Sequence, residues 1–304
     1  MKGKIYIFLR MTTCLVILLC IFSVALHSQQ LYRVEADSLS VYSDRPNDLA
    51  ARQVIALYPS VRAGLETKLV WKVDFKPAVL LVSDRRLFTE MSGSPLIAAY
   101  AVPEKMLIVI DLSRMNTEPF TLAATLEHEL CHLLLHRYIH PDNLPRWLDE
   151  GVSQWVSGGL AEIVTGSRRS ALGVAALSGG FIPLPALSRN FPLDGRSMAL
   201  AYEESKSVVE YIIANYGNKG LLDILDAMKN GNDVSDAVTM SLGVPLWKLE
   251  KEWRESQRSW TSVISLLVAN LYTILFAFGA LVTLAVYVRF IIRKRRIRDE
   301  EEYE

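Results

Sequence analysis

Cysteine is almost missing from this chain. Of the three in 304 residues, Cys14 and Cys20 lie in the apolar N-terminal segment, so only Cys131 is left for a folded domain. An internal disulfide is therefore excluded, and such a domain must stand on its hydrophobic core. Neither Cys14 nor Cys20 follows the small residue that a lipoprotein cleavage signal needs. An excess of charge of either sign is missing too. The 33 basic and 33 acidic residues cancel, which leaves no electrostatic footprint for a nucleic-acid partner. There is no internal repeat and no low-complexity linker, so nothing divides the central part of the chain into several domains.

Charge is absent altogether between Trp260 and Val288, a run long enough to cross the ~30 Å hydrocarbon layer of a membrane even when tilted. The expected membrane helix covers 260–292. Arg289, Arg293, Lys294, Arg295, Arg296 and Arg298 follow or close it, and the positive-inside rule assigns the tail 293–304 to the cytoplasm. Trp260 and Tyr287 stand where interfacial aromatics usually stand, and the acidic tip "DEEEYE" reads as a solvated tail. At the other end Lys2, Lys4 and Arg10 precede an uncharged apolar run from Met11 to Leu26 and then "HSQQ". That pattern fits a signal peptide over 1–28 with cleavage near Ser28; the alternative is an uncleaved anchor helix. Both ends place residues 30–258 on the outer face of the cytoplasmic membrane.

With 51% apolar residues the central part can bury a sizeable core. "VEADSLSVYS" alternates as a strand does, and "PNDLAARQVIALYPSVRAGLETKL" has helical spacing despite Pro59. "KPAVLLVSD", "LIAAYAV" and "KMLIVID" read as three more strands, separated by turn-rich stretches. From Asn116 the pattern becomes helical. It predicts helices over Phe120–Arg137, over Pro145–Val156 and over Met198–Tyr216 with Gly217 as stop, then shorter helices in "GLLDILDAMKN", "DVSDAVTMSLG" and "PLWKLEKEWRESQRS". The expected class is α+β, one domain with a sheet half and a helical half.

Within "TLAATLEHELCHLLLHR", His128 and His132 are four apart and stack on one helix face, where both can bind one metal ion. Glu129 lies about 100° around the helix, where a general base must be to take a proton from a water activated by that metal. Leu126, Leu130, Leu133, Leu134 and Leu135 make the helix apolar on nearly every side. Burying a carboxylate and two imidazoles there costs several kcal/mol unless something satisfies them, and zinc does so. The other reading is an accidental match on a half-buried helix. Cys131, inside the motif, reads as a small buried apolar residue.

A zinc site that catalyses needs a third protein ligand and an open position. The metzincin pattern asks for glycine at 135 and histidine at 138, where this chain has Leu135 and Tyr138. His136 lies one turn past His132, and three histidines along one helix cannot converge tetrahedrally. Downstream, "LPRWLDEGVSQW" offers Asp149 and Glu150 on a second helix. Spacing alone permits either as ligand, the other being free to orient an imidazole.

The histidine helix followed by "LPRWLDEGVSQWVSGG" resembles the gluzincins, zinc metallopeptidases with a glutamate as third ligand, and in particular the bacterial peptidase MA-like domain. The resemblance implies a zincin-like fold with zinc held by His128, His132 and Glu150, with Asp149 in a supporting slot where related enzymes often have asparagine. "FIPLPALSRNFP" and "LAYEESKSVVEYIIANYG" extend the likeness loosely. Gluzincins of the aminopeptidase type use a tyrosine to bond the oxyanion of the tetrahedral intermediate, and Tyr202 is the candidate here. Its other reading is one more semi-buried aromatic, in line with Val209 and Ile213.

The function expected is peptide-bond hydrolysis in envelope proteins by a membrane-tethered zinc endopeptidase, with Glu129 as base. Its substrate is a peptide or protein whose backbone adds to an edge strand near Ile97–Ala101. The ligands must be deprotonated, so metal and activity should be lost together in acid. A zinc-bearing but catalytically idle envelope module, acting by binding, is the alternative. Intramembrane proteolysis is disfavoured because the several further membrane helices it needs are missing.

Overall fold

The computed structural model describes residues 31–46, 48–115, 121–158, 170–258 and 270–301. The expected signal segment 1–28, the first part of the expected membrane segment (260–269) and the last residues of the tail lie outside the described residues. The chain forms two compact units whose boundary, between Leu133 and Leu134, falls inside one continuous helix. The class is α+β, as expected.

The first unit is a five-stranded sheet with helices. Its strands are β1 (Tyr32–Glu35), β2 (Ser40–Ser43), β3 (Ala78–Val82), β4 (Ala99–Val102) and β5 (Leu107–Asp111). They lie in the order β1-β2-β3-β5-β4, with β3 parallel to both of its neighbours and β1 and β4 antiparallel at the edges. β3 is an apolar run, "AVLLV", as suits a central strand covered on both faces. Helix α1 (Asp48–Leu69) links β2 to β3 and passes through Pro59. It ends at Val70, a branched residue held in the left-handed region with φ 62°.

Two features of this unit differ from the sequence expectation. "VEADSLSVYS" is two antiparallel strands rather than one, because Ala36 N–H closes onto the Leu39 carbonyl at 3.0 Å. Asp37 and Ser38 favour such a turn. The second feature is helix α2 (Arg85–Ser92), which the apolar pattern did not announce. Its signals were local: Asp84 accepts the N–H groups of Arg86 and Leu87, and Gly93 ends it in the left-handed region. α2 buries Phe88 with Val82 of β3 and Val109 of β5.

Helix α3 (Leu122–Tyr138) carries the histidine motif. Beyond it the second unit is helical: α4 (Arg146–Val156), α5 (Ala171–Ser178), α6 (Gly195–Lys229), α7 (Val234–Leu242), α8 (Leu246–Gln257) and α9 (Leu271–Glu301). The two helices expected on either side of Gly217 meet there at a kink, where Gly217 leaves the helical range with φ 72° and ψ 170°. α5 was not expected; it is capped by Ser170 and closed by left-handed Gly179.

The tightest approach in this unit is α4 on α6. A β-carbon placed on Gly151 would lie 2.4 Å from the Ser205 carbonyl oxygen and 2.7 Å from Val209 Cγ2. Only glycine allows these two backbones to come so close. α8 packs by burying Leu249 and Trp253, whose indole N–H donates to Ser207 Oγ of α6 at 3.0 Å. In α9, Leu271–Ile291 has a mean hydropathy of 2.2 and none of it is buried. Among the described residues it is the one helix long and apolar enough to cross a membrane.

Candidate metal centre

Over residues 128–135 α3 is buried on every side, which explains its lack of an amphipathic pattern there. Leu126, Leu130, Cys131, Leu133, Leu134 and Leu135 are wholly inaccessible, and Glu129, His128 and His132 are buried with them. Next to the motif, Glu127 is tied to Lys68 near the end of α1 at 2.7 Å. That contact joins α3 to α1 one residue before its first histidine.

Four-residue spacing stacks the two imidazoles, and their Nε2 atoms lie 3.1 Å apart. Two nitrogens each about 2.05 Å from a tetrahedral zinc ion would be about 3.3 Å apart. The pair thus already has the bite that a single ion needs. One candidate ligand atom from each of His128, His132 and Glu150 falls within 4.8 Å of the other two, and all three residues are buried. Two neutral nitrogens and one carboxylate oxygen form a donor set that suits zinc and leaves a fourth position open. The residues fit a metal ion.

α4 delivers Glu150 and aims it. Tyr202 of α6 points its hydroxyl at Glu150 Oε1 from 3.4 Å, and the Arg146 guanidinium reaches the same oxygen at 3.6 Å. Phe191 is shared by both of these partners. It meets the Tyr202 ring edge-on with centroids 5.0 Å apart and lies 4.8 Å beneath the Arg146 guanidinium carbon. Gln154, one turn along α4 from Glu150, donates to the Tyr202 carbonyl at 3.0 Å. With Gly151 admitting α6, these contacts explain why the "DEG" of α4 sits against the "AY" of α6.

Asp149, the other carboxylate that spacing permitted, is placed with its Oδ2 3.0 Å from Nε2 of His136. The imidazole it meets is thus the third histidine of α3, one turn beyond His132. A His136–Asp149 bond ties α3 to α4 one residue before Glu150. Sequence reasoning passed over His136 as a ligand and did not see this role. It also missed Arg146 and Phe191. Arg146 precedes Glu150 by four residues, which is a readable helical pairing; Phe191 had no comparable signal.

Two histidines one turn apart on a buried helix, with a glutamate beside them from a second helix, form a buried His-His-Glu group that could hold one metal ion. Comparison with known families is more specific. The chain belongs to the Peptidase MA superfamily, whose model matches residues 97–259, more than half of the 304 residues. The matched stretch holds both helices of the site and Tyr202. No curated protein matches the sequence.

Several solved structures are similar at low identity. Yeast LTA4 hydrolase in complex with bestatin is 13% identical with a TM-score of 0.43, over 73% of this chain and 37% of that one. Aminopeptidase A of Legionella pneumophila in complex with aspartic acid is 13% identical with a TM-score of 0.42, over 74% and 27%. A mutant M1 zinc metallopeptidase from Deinococcus radiodurans, bound to a Tyr-Ser-Ala substrate, is 17% identical with a TM-score of 0.35, over 74% and 50%. The chain spans between about a quarter and a half of the length of these proteins.

Proposed function

We propose that this protein is a membrane-tethered zinc endopeptidase acting on peptides or proteins at the outer face of the cytoplasmic membrane. His128, His132 and Glu150 are its zinc ligands and Glu129 is its general base. The observation that carries the reading is the convergence of those three buried side chains, with the buried Glu129 beside the first of them. Membership of the Peptidase MA superfamily supports the reaction class.

In this reading zinc, when bound, supplies Lewis acidity to the water and the scissile carbonyl. Glu129 takes the proton from the attacking water on a carboxylate oxygen and hands it to the departing amine. Arg146 and Tyr202 hold Glu150 Oε1 and so keep the carboxylate turned for binding. Tyr202 is also the donor proposed for the oxyanion of the tetrahedral intermediate. The leucines of α3 exclude water around these groups, which strengthens every charge interaction made there.

An internal stretch of an extended substrate needs a strand edge to lie on. β4, within the expected Ile97–Ala101 region and one residue beyond, is the edge strand beside β5. Backbone pairing along it favours endopeptidase action. α9 supports the tether, and the basic residues from Arg289 onward support a cytoplasmic tail. The helix holds the domain 30–258 near the membrane, which favours envelope proteins as substrates.

The test is the full-length Glu129→Gln protein with a peptide library. Expected are wild-type zinc content and no cleavage; cleavage by this variant would overturn the mechanism. A zinc-loaded wild-type protein that cleaves nothing in the library would favour the idle binding module instead.

A further inference from the structure

The stretch between α5 and α6 has no regular structure, yet two glutamates hold it in place and a third holds the start of α5. Glu204 of α6, wholly buried, accepts the N–H of Ile182 on its two oxygens at 3.1 and 3.3 Å. Glu250 of α8 accepts the N–H of Leu184 at 3.2 Å. Glu203, beside Glu204, takes the Ala171 and Leu172 N–H groups of the first turn of α5 at 3.1 and 2.8 Å, and the Ser170 hydroxyl at 2.6 Å. Phe181, next to Ile182, lies edge-on to Trp253.

The fixed strap then does something for α4. Pro145, the residue before α4, has no side chain to cap it. The first N–H groups of the helix are instead taken by the strap, Arg146 by the Ser188 carbonyl at 2.9 Å and Trp147 by the Leu187 carbonyl at 3.2 Å. Helix N-termini need such acceptors. A few residues later the strap supplies Phe191, on which both Tyr202 and Arg146 rest.

We propose that Glu204 is a positioning residue for Glu150: by pinning the strap at Ile182 it sets where α4 begins and how Arg146 and Tyr202 address the Glu150 carboxylate. The inference rests on the assignment of Glu150 as a metal ligand. Glu204 itself touches neither metal nor substrate. Burial pushes its pKa up to about 8, with the Ile182 N–H and Arg254 pulling it down and Glu250 pushing it up, so at neutral pH it is an uncharged carboxyl. A neutral side chain of the same shape should therefore replace it.

The experiment compares full-length wild type, Glu204→Ala, Glu204→Gln and Glu250→Ala by amide hydrogen exchange, metal-free and zinc-loaded, and by the absorption spectrum of the cobalt-substituted forms. Glu204→Ala is expected to speed exchange at Ile182, Arg146 and Trp147 at least tenfold while Ala237 and Val238 of α7 keep their protection. The cobalt bands shift and zinc binding weakens about tenfold or more. Glu204→Gln, which still accepts from Ile182, restores exchange and spectrum. Glu250→Ala moves Arg146 and Trp147 in the same direction by less, and it decides the matter if Glu204→Ala does not fold. Unchanged exchange at Arg146 and Trp147, an equal rise in α7, or no rescue by glutamine would overturn the proposal. If wild type takes up no metal, the ligand assignment fails, whereas the exchange at Arg146 and Trp147 still reports on the strap alone.

Discussion

Replacing Gly151 by alanine puts a methyl group into the close contact between α4 and α6. Its β-carbon would stand 2.4 Å from the Ser205 carbonyl oxygen and 2.9 Å from the carbonyl carbon. A carbon–oxygen contact relaxes only near about 3.3 Å, so α4 and α6 must part by roughly 0.9 Å. Backbone cannot swing aside as a long side chain would, and the Val209 methyl at 2.7 Å blocks a sideways slide. Glu150 precedes Gly151 directly, and Tyr202 precedes Ser205 by three residues, so the displacement falls on the pair now 3.4 Å apart. Metal–ligand distances tolerate about 0.2 Å, far less than the forced shift. Gly151→Ala should therefore lower zinc affinity by about 10- to 100-fold and fold stability by about 1 to 3 kcal/mol. Competition with a chromophoric chelator gives the first quantity and denaturant titration of the metal-free protein the second. A variant with wild-type zinc affinity would refute the reasoning that this contact positions Glu150.

Tyr202→Phe removes only the hydroxyl and keeps the ring against Phe191. If the hydroxyl serves the oxyanion, turnover at saturating zinc should fall about 10²- to 10³-fold; unchanged turnover on a peptide substrate would sink that role. Glu204 makes stability depend on pH in a definite direction. Its pKa rises from 4.5 to about 8 on folding, so the folded protein keeps a proton that the unfolded chain releases. That stabilisation is complete below about pH 4.5 and is lost as pH rises to about 8, by up to roughly 4 to 5 kcal/mol. Denaturant titrations of the metal-free protein across this range should show a steeper fall for wild type than for Glu204→Gln, and parallel curves would contradict the assignment.

Element by element, the sequence was readable where one physical signal dominated. α3 and α4 lie within two residues of the expected Phe120–Arg137 and Pro145–Val156, because leucine density and the proline start are strong signals. α5, "ALGVAALS", is apolar without a period, so no face could be assigned to it from the pattern. The hairpin of β1 and β2 was hidden because apolar and polar residues alternate on both sides of Asp37–Ser38, and the only trace of the turn is a one-residue slip, from Val34 and Ala36 to Leu39 and Val41. In the site, the choice between Asp149 and Glu150 could not come from spacing, since neighbours on a helix differ only by about 100° of rotation. That rotation is set by partners far along the chain: Tyr202, and the strap carbonyls of Leu187 and Ser188. Their effect on α4 is a tertiary fact with no local trace.

The apolar character of α3 and the polar residues at its centre are one design rather than two in conflict. A helix that alternated polar and apolar faces would expose His128 and His132 to water on one side and leave Glu129 hydrated. In that setting a carboxylate is a weak base, and charge interactions are screened by high dielectric. Burial reverses both effects, at a cost that only paired or metal-bound groups offset. The two imidazoles face each other at 3.1 Å beside Glu150, and Glu129 is wholly buried next to them. In the proposed mechanism Glu129 is the group that accepts a proton from water and releases it to an amine. The leucines around the motif thus keep water from these groups as well as fill the core.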